Sequence, residues 1–303
     1  MNTATQPLRV KTALKTYPHT RGLKTGEIAD PAVELVFEEV EPIHRVFAPM
    51  ARHQAYDVSE LAIATCLQAK AYGKPLVLLP AVVAARLQQR CIIYNARRGK
   101  LDVAHLAGKK IGVRAWTQTT GMWVRAILAQ TYGVPLEQID WVTFEGSHLE
   151  EYRDPPFARR AEPGQQLLPM LRAGELDAAI LGNDLPDEAG LESLIEDPAA
   201  ADRAWYALHR YVPINHVVVV TKALADAHPH AVRAVYDLLR RGKASVAADH
   251  AGAPDKLLFG YDALRAPLDE TLRFCEEQRL LPRKLSVDEI FADSIGILGD
   301  AAR

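Results

Sequence analysis

The stretch from Leu101 to Leu128, LDVAHLAGKKIGVRAWTQTTGMWVRAIL, narrows the choice of fold more than any other part of this chain. It reads as a short strand at Lys110 to Val113, a loop, and a helix that opens on TQTTG. A helix start leaves backbone N–H groups unpaired and carries the positive end of the helix dipole, so it favours a bound carboxylate or phosphate. A small anionic ligand is the first expectation.

The alternation of strand and helix continues on both sides of this unit. Strands are predicted at Leu8 to Leu14, Val33 to Phe37, Pro75 to Val83, Arg90 to Tyr94, Ile139 to Phe144, Leu176 to Leu181 and His216 to Thr221. Asp57 to Ser59 reads as a strand end and YPHTRGLKTG as a loop. Helices are predicted at Ile43 to Ala51, Glu60 to Ala71, Gly164 to Arg172, Ala231 to Ala248 and Leu268 to Gln278. The capping box SVDE, Ser286 to Glu289, opens a last one. This order is that of an α/β layered protein.

With 303 residues the chain is long enough for two cores. The simplest arrangement is discontinuous: residues 1–91 with 218–303 form lobe one and 92–217 form lobe two. Two chain crossings then make a hinge, with a ligand cleft between the lobes. Ligands of open α/β sheets sit outside the carboxyl ends of strands, so the loops after Leu14, Ser59, Val83, Val113, Phe144 and Leu181 are expected to face that cleft.

Charge excludes some partners. A formal net charge of −2, with 24% charged residues, gives no electrostatic reason to expect nucleic acid or an anionic membrane, which leaves small molecules. The start MNTATQPLRVKTALKTY lacks a secretory pattern, and no apolar run approaches about 18 residues, so a cytoplasmic protein is expected. Cys66, Cys91 and Cys275 lie outside any CxxC spacing and read as buried small hydrophobes. HExxH, GxGxxG, P-loop and GxSxG patterns are missing. The sequence therefore requires no cofactor; a divalent metal and a homo-oligomer are left open.

Several side chains suit a carboxylated ligand. Thr117, Thr119 and Thr120 combine hydroxyls with the helix start, as anion ligands or as plain caps. Arg114 follows the strand and can form a bidentate carboxylate pair or a surface salt bridge. Trp116 offers a stacking face, although an aromatic at this spacing also suits a core. Arg125 lies deeper in the same helix, and Asn183 sits in the loop LGNDLPD after a strand. Glu60 is a candidate for holding a ligand hydroxyl, or for the first helical turn. His216 is the leading proton donor, with His19 and His148 as rivals in other loops.

The segments YDVSELAIATCLQAKAYG, GVRAWTQTTGMWVRAILAQTYGV, PINHVVVV and LRFCEEQRLLPRKLSVDEIFA resemble the 4,5-dihydroxyphthalate decarboxylase family. LAGKKIGV and the Thr-rich helix start also resemble the second-lobe entry of the type II periplasmic-binding-protein fold. The likeness spans roughly residues 8 to 295 and includes Glu60, Arg125 and His216. It departs at Pro18, His19 and Thr20, at Gln88, Gln89 and Arg90, and at Arg114 and Ala115. There the family tends to have Asp-Arg-Thr, Arg-His-Ser and Pro-Glu respectively.

The resemblance implies a lyase of aromatic catabolism. In phthalate degradation such an enzyme removes one carboxylate of 4,5-dihydroxyphthalate without oxidation, giving protocatechuate and carbon dioxide. His216 would protonate the ring carbon that bears the carboxylate, Glu60 would draw proton density from the para hydroxyl, and Thr117 to Thr120 with Arg114 would hold the second carboxylate. A non-catalytic carboxylate-binding protein of the same fold and a menaquinone-pathway-like enzyme are the alternatives.

Overall fold

The computed structural model describes residues 6–182, 185–246 and 254–303. In chain order the elements begin with β1 (Leu8–Ala13), α1 (Pro18–Thr25), β2 (Val33–Phe37), α2 (Phe47–His53), β3 (Val58–Ala62), α3 (Ile63–Ala71) and β4 (Leu76–Ala85). There follow β5 (Ile92–Asn95), β6 (Lys110–Val113), α4 (Thr119–Tyr132), β7 (Asp140–Thr143), β8 (Ala158–Arg160), α5 (Leu167–Ala173), β9 (Ala178–Ile180) and β10 (Leu191–Ser193). The chain closes with α6 (Pro198–His209), β11 (Ile214–Thr221), α7 (Lys222–Ala227), α8 (Pro229–Ser245), α9 (Tyr261–Glu277) and α10 (Val287–Leu298). Two compact units result: Met1–Ala85 with Ile214–Arg273 and Leu281–Arg303, and Arg86–Pro213 with Phe274–Leu280.

The first unit is built on a five-stranded sheet of order β2-β1-β3-β11-β4. β1 is parallel to β2 and β3, whereas β11 runs antiparallel to both β3 and β4. All five residues of β3 are buried, as are Val217 to Val220 of β11, because helices cover both faces of the central strands.

Two expectations change here. Glu60 lies in a strand, and the helix begins only at Ile63 with Ala62 as its N-cap. β3 is paired along both edges, and those ladder bonds outweigh the helical preference of SELAIA. YPHTRGLKTG is a helix, α1, with Pro18 in its first turn and Gly26 closing it at a φ of 79°. α1 packs on α8 at Gly242, where a Cβ would lie 2.2 Å from the His19 carbonyl oxygen. No other residue allows that approach.

The predicted helix at Ile43 to Ala51 is a 3-10 turn, Ile43–Val46, that runs into α2. α8 ends at Ser245, and the last two residues expected in it, Ala247 and Ala248, lie outside the described residues. Ser286 caps α10 by accepting the Glu289 N–H at 3.2 Å, as the SVDE pattern predicts.

The second unit holds a six-stranded sheet of order β10-β5-β9-β6-β7-β8, with β6, β7, β8 and β9 parallel. Ile93, Val142, Leu171, Leu176 and Ala179 form one of its apolar clusters. Phe274–Leu280 joins this unit because Phe274 packs edge-on against Trp123 and the Gln278 side chain reaches into the α4 region. Among the described residues no helix is long and apolar enough to cross a membrane.

Candidate functional site

In the first unit three side chains converge on one carboxylate. His216 on β11 stands opposite Ala62 of β3, and Val218 opposite Glu60. Side chains two residues apart on a strand share a face, so Glu60 and His216 become diagonal neighbours on one face of the sheet. The pairing of β11 with β4 shifts register between Ile214 and His216, His216 and Val217, and Val217 and Val218. Such bulges turn side chains out of the regular ladder.

Glu60 is fully buried. Its Oε1 lies 2.6 Å from His216 Nδ1 and accepts the Tyr17 hydroxyl at 2.7 Å, while Oε2 accepts the Lys15 backbone N–H at 3.0 Å. Burial pushes this carboxyl up, but the His216 hydrogen bond and charge, with the Lys15 N–H and the Tyr17 hydroxyl, outweigh it and hold the group below the usual carboxylate range. An ionised carboxylate only accepts, so Nδ1 of His216 must carry the proton. The other nitrogen, Nε2, has no partner among the described residues, and the side chain is 19% exposed. Phe47 packs edge-on against the imidazole at 5.0 Å between centroids. The geometry therefore yields a fixed tautomer with one nitrogen available for proton transfer.

The expected contact of Glu60 with a ligand hydroxyl does not fit this arrangement. Both carboxylate oxygens are engaged and neither is accessible. Its Oε1 is instead placed against Nδ1 of His216, where it orients the imidazole ring. Tyr17 escaped the sequence reading, although an aromatic immediately before a Pro-started helix was the available signal. His19 stacks flat on the Tyr17 ring at 5.1 Å and is nearly buried, so it belongs to this cluster without replacing His216 as the open donor.

The second unit contains a separate anion-compatible cluster. α4 opens after Gln118, which supplies no side-chain cap, and Thr117, Thr119 and Thr120 are all buried at this start. Arg86, the cation directly after the apolar run of β4, donates from Nη2 to Thr120 Oγ1 at 2.5 Å and from Nε to Gln88 Oε1 at 3.3 Å. The sequence pattern points to Arg114 for this place. Arg114 instead approaches Glu145 at 3.8 Å, because its carbonyl accepts the N–H groups of Phe144 and Glu145 and so extends the pairing of β6 with β7.

Trp116 and Arg125 are also displaced from their expected roles. Arg125 is fully buried, with Nε donating to Gln278 Oε1 at 2.8 Å and Nη2 to the Trp116 carbonyl at 2.6 Å. Its guanidinium lies 3.7 Å from the centre of the Trp116 ring, and Trp141 and Phe157 meet that ring edge-on. Trp116 thus spends its stacking face within the core. Desolvation pushes the Arg125 guanidinium down to about 9, against the opposing influence of Tyr152, Cys275 and Asp154. His148 is half-buried in the second unit, in the connection after β7. Asn183 lies outside the described residues. No group of three or more His, Cys, Asp and Glu side chains converges as a metal site among the described residues.

No family profile matches the chain. It is 28% identical over 252 residues to the 4,5-dihydroxyphthalate decarboxylase of Comamonas testosteroni, covering 78% of this chain and 75% of that protein. It is 27% identical over 219 residues to the enzyme of the same name from Pseudomonas putida, covering 67% and 83%. The family resemblance read from the sequence is reproduced by both relatives. Among solved structures, the alkanesulfonate-binding protein SsuA from Xanthomonas axonopodis pv. citri matches with a TM-score of 0.57 at 16% identity, covering 94% of this chain and 97% of that one. The aliphatic sulphonate-binding protein SsuA from Escherichia coli matches with a TM-score of 0.56 at 12% identity, covering 94% and 91%. The desulfurization enzyme DSZB gives 0.52 at 15% identity, covering 97% and 99%. The fold is therefore of the type II periplasmic-binding-protein kind, and at these identities the structural matches speak to the fold alone.

Proposed function

We propose that the protein is a non-oxidative decarboxylase of an aromatic dicarboxylate of the 4,5-dihydroxyphthalate type, with His216 as the catalytic acid. The observation that carries this reading is the buried Glu60 carboxylate at 2.6 Å from Nδ1, which leaves only Nε2 of His216 to act. The two relatives named 4,5-dihydroxyphthalate decarboxylase support the substrate class.

The chemistry needs one proton. Imidazolium Nε2–H gives it to the ring carbon that carries the carboxylate, producing a dearomatised intermediate. The bond from that carbon to the carboxylate then breaks, its electron pair restores the ring, and carbon dioxide leaves. The neutral imidazole regains its proton from solvent, so the sum is one carboxylate and one proton converted to one C–H bond and carbon dioxide. Glu60 balances the imidazolium charge and holds the ring in register, contributing position rather than proton transfer. In the second unit, Arg86 and the uncapped start of α4 supply donors suited to a carboxylate.

The test is direct. Purified protein mixed with 4,5-dihydroxyphthalate should release one carbon dioxide and one protocatechuate per substrate, and His216→Ala should slow this at least about 100-fold. Intact substrate recovered after prolonged incubation, with and without added divalent cations, would overturn the reading for this compound. Unchanged turnover in His216→Ala would remove His216 from the acid role.

A further inference from the structure

We infer that Tyr17 is a positioning residue for this histidine: its hydroxyl pins the Glu60 carboxylate that holds His216 by Nδ1. The inference rests on the reading above for the identity of the reaction, while its geometry lies wholly within the first unit.

The phenol and the imidazole share a single oxygen, Oε1, at 2.7 and 2.6 Å, while the Lys15 N–H holds Oε2 at 3.0 Å. The carboxylate cannot turn without breaking bonds on both oxygens. Tyr17 is itself held. Its N–H donates to the Thr20 hydroxyl at 2.8 Å, and that hydroxyl donates to the Lys15 carbonyl at 2.7 Å. Its ring lies 5.1 Å from the His19 ring at an interplanar angle of 5°. Burial, followed by the Glu60 charge and hydrogen bond and the more distant Glu41, raises the phenol above its ordinary range, so it stays a donor. Among the described residues, the groups that act on this carboxylate are the Lys15 N–H and the Tyr17 hydroxyl from the β1 to α1 connection and His216 from β11.

The consequence concerns the proton inventory. Without the phenolic O–H, Glu60 takes up a proton more readily. A protonated Glu60 no longer accepts from Nδ1–H as a carboxylate, so the charge-assisted bond that orients the imidazole is lost. Tyr17 keeps the carboxylate ionised, and with it the charged bond to Nδ1–H, over a wider acidic range.

The experiment reads the ring nitrogens of His216 by NMR in the ligand-free full chain labelled with 15N-histidine, with His216→Asn used to assign the signals. The wild-type protein should show Nδ1–H with the downfield resonance of a hydrogen bond to a carboxylate, and that hydrogen-bond shift should be lost at acidic pH as Glu60 takes up a proton. In Tyr17→Phe, which keeps the ring that stacks on His19, the loss should begin at higher pH. Replacing Tyr17 by 3-fluorotyrosine keeps the ring and hydroxyl, changes only one ring hydrogen to fluorine and strengthens the donor, so the onset should move to lower pH. kcat in Tyr17→Phe should fall about 10-fold with KM little changed, as expected for a hydrogen bond to a charged group. Onsets and tautomers identical to wild type in both substituted proteins would overturn the inference. Shifted onsets in a protein that turns over no substrate would uphold the positioning role and overturn only the reaction.

Discussion

His216 Nδ1 lies 2.6 Å from Oε1 of Glu60, across two strands that the chain reaches 156 residues apart. The contact joins a fully buried carboxylate to a partly exposed imidazole, which separates the group that sets the charge from the group that meets solvent or ligand. An acid built this way depends on the orienting carboxylate as much as on the histidine.

Glu60→Gln tests that dependence. The amide has nearly the same shape but can donate through its NH2 group, so it would no longer fix the proton on Nδ1. Turnover of 4,5-dihydroxyphthalate should fall roughly 100-fold or more with substrate affinity little changed, as when an orienting carboxylate behind a histidine is made an amide. A steady-state comparison of kcat and KM reads this directly, and an unchanged kcat would refute it.

The same carboxylate gives a pH dependence to stability. Glu60 in the folded protein sits below its ordinary value of 4.5, so its contribution is complete above that value and is lost as pH falls through the lower folded one. The Tm difference between wild type and Glu60→Gln should therefore be full above the ordinary value of 4.5 and shrink as the pH is lowered below it. A difference that stays constant as the pH is lowered well below 4.5 would show that the carboxyl is not held below its ordinary range.

Arg86 and Arg114 make opposite predictions. If Arg86 holds a carboxylate at the start of α4, Arg86→Ala should weaken ligand binding by about 10- to 100-fold, the value of a charge-assisted hydrogen bond. Arg86→Lys should recover only part of this, because a point charge cannot replace the planar fork. Arg114→Ala, which removes only a partly exposed pair with Glu145, should change binding little. Calorimetry on the three proteins decides between them.

Arg125→Ala should act on stability. It removes the guanidinium packed on Trp116 and leaves the Gln278 Oε1 and the Trp116 carbonyl short of a donor, so a loss of about 3–5 kcal/mol is expected in urea unfolding. Ligand affinity lost without loss of stability would return Arg125 to the binding role the sequence suggests.

Much of this protein is legible from local signals. The strand runs of β2 and β6, the start of α4 after the TQ of TQTTG and the Ser286 cap follow from periodicity and cap chemistry, which need only neighbouring residues. α1 was legible too: its initial Pro18 and closing Gly26 flank it, yet the polar composition of YPHTRGLKTG argued for a loop. Glu60, His216 and the α4 threonines were identified as candidates because their residue types and neighbouring patterns suit the chemistry.

What each candidate does was decided by contacts between distant segments. The strand order β1-β3-β11 brings Tyr17, Glu60 and His216 together and makes Glu60 an interior partner where the linear pattern suggested a ligand contact or a helix start. Packing of Trp116 and Gln278 around Arg125 turns a candidate ligand into a core cation, and continued β6 to β7 pairing takes Arg114 away from the threonines and leaves that place to Arg86. The order and type of most elements follow from spacing along the chain, where those preferences are written. Which side chains meet follows from strand order and burial, which join residues that no local pattern connects.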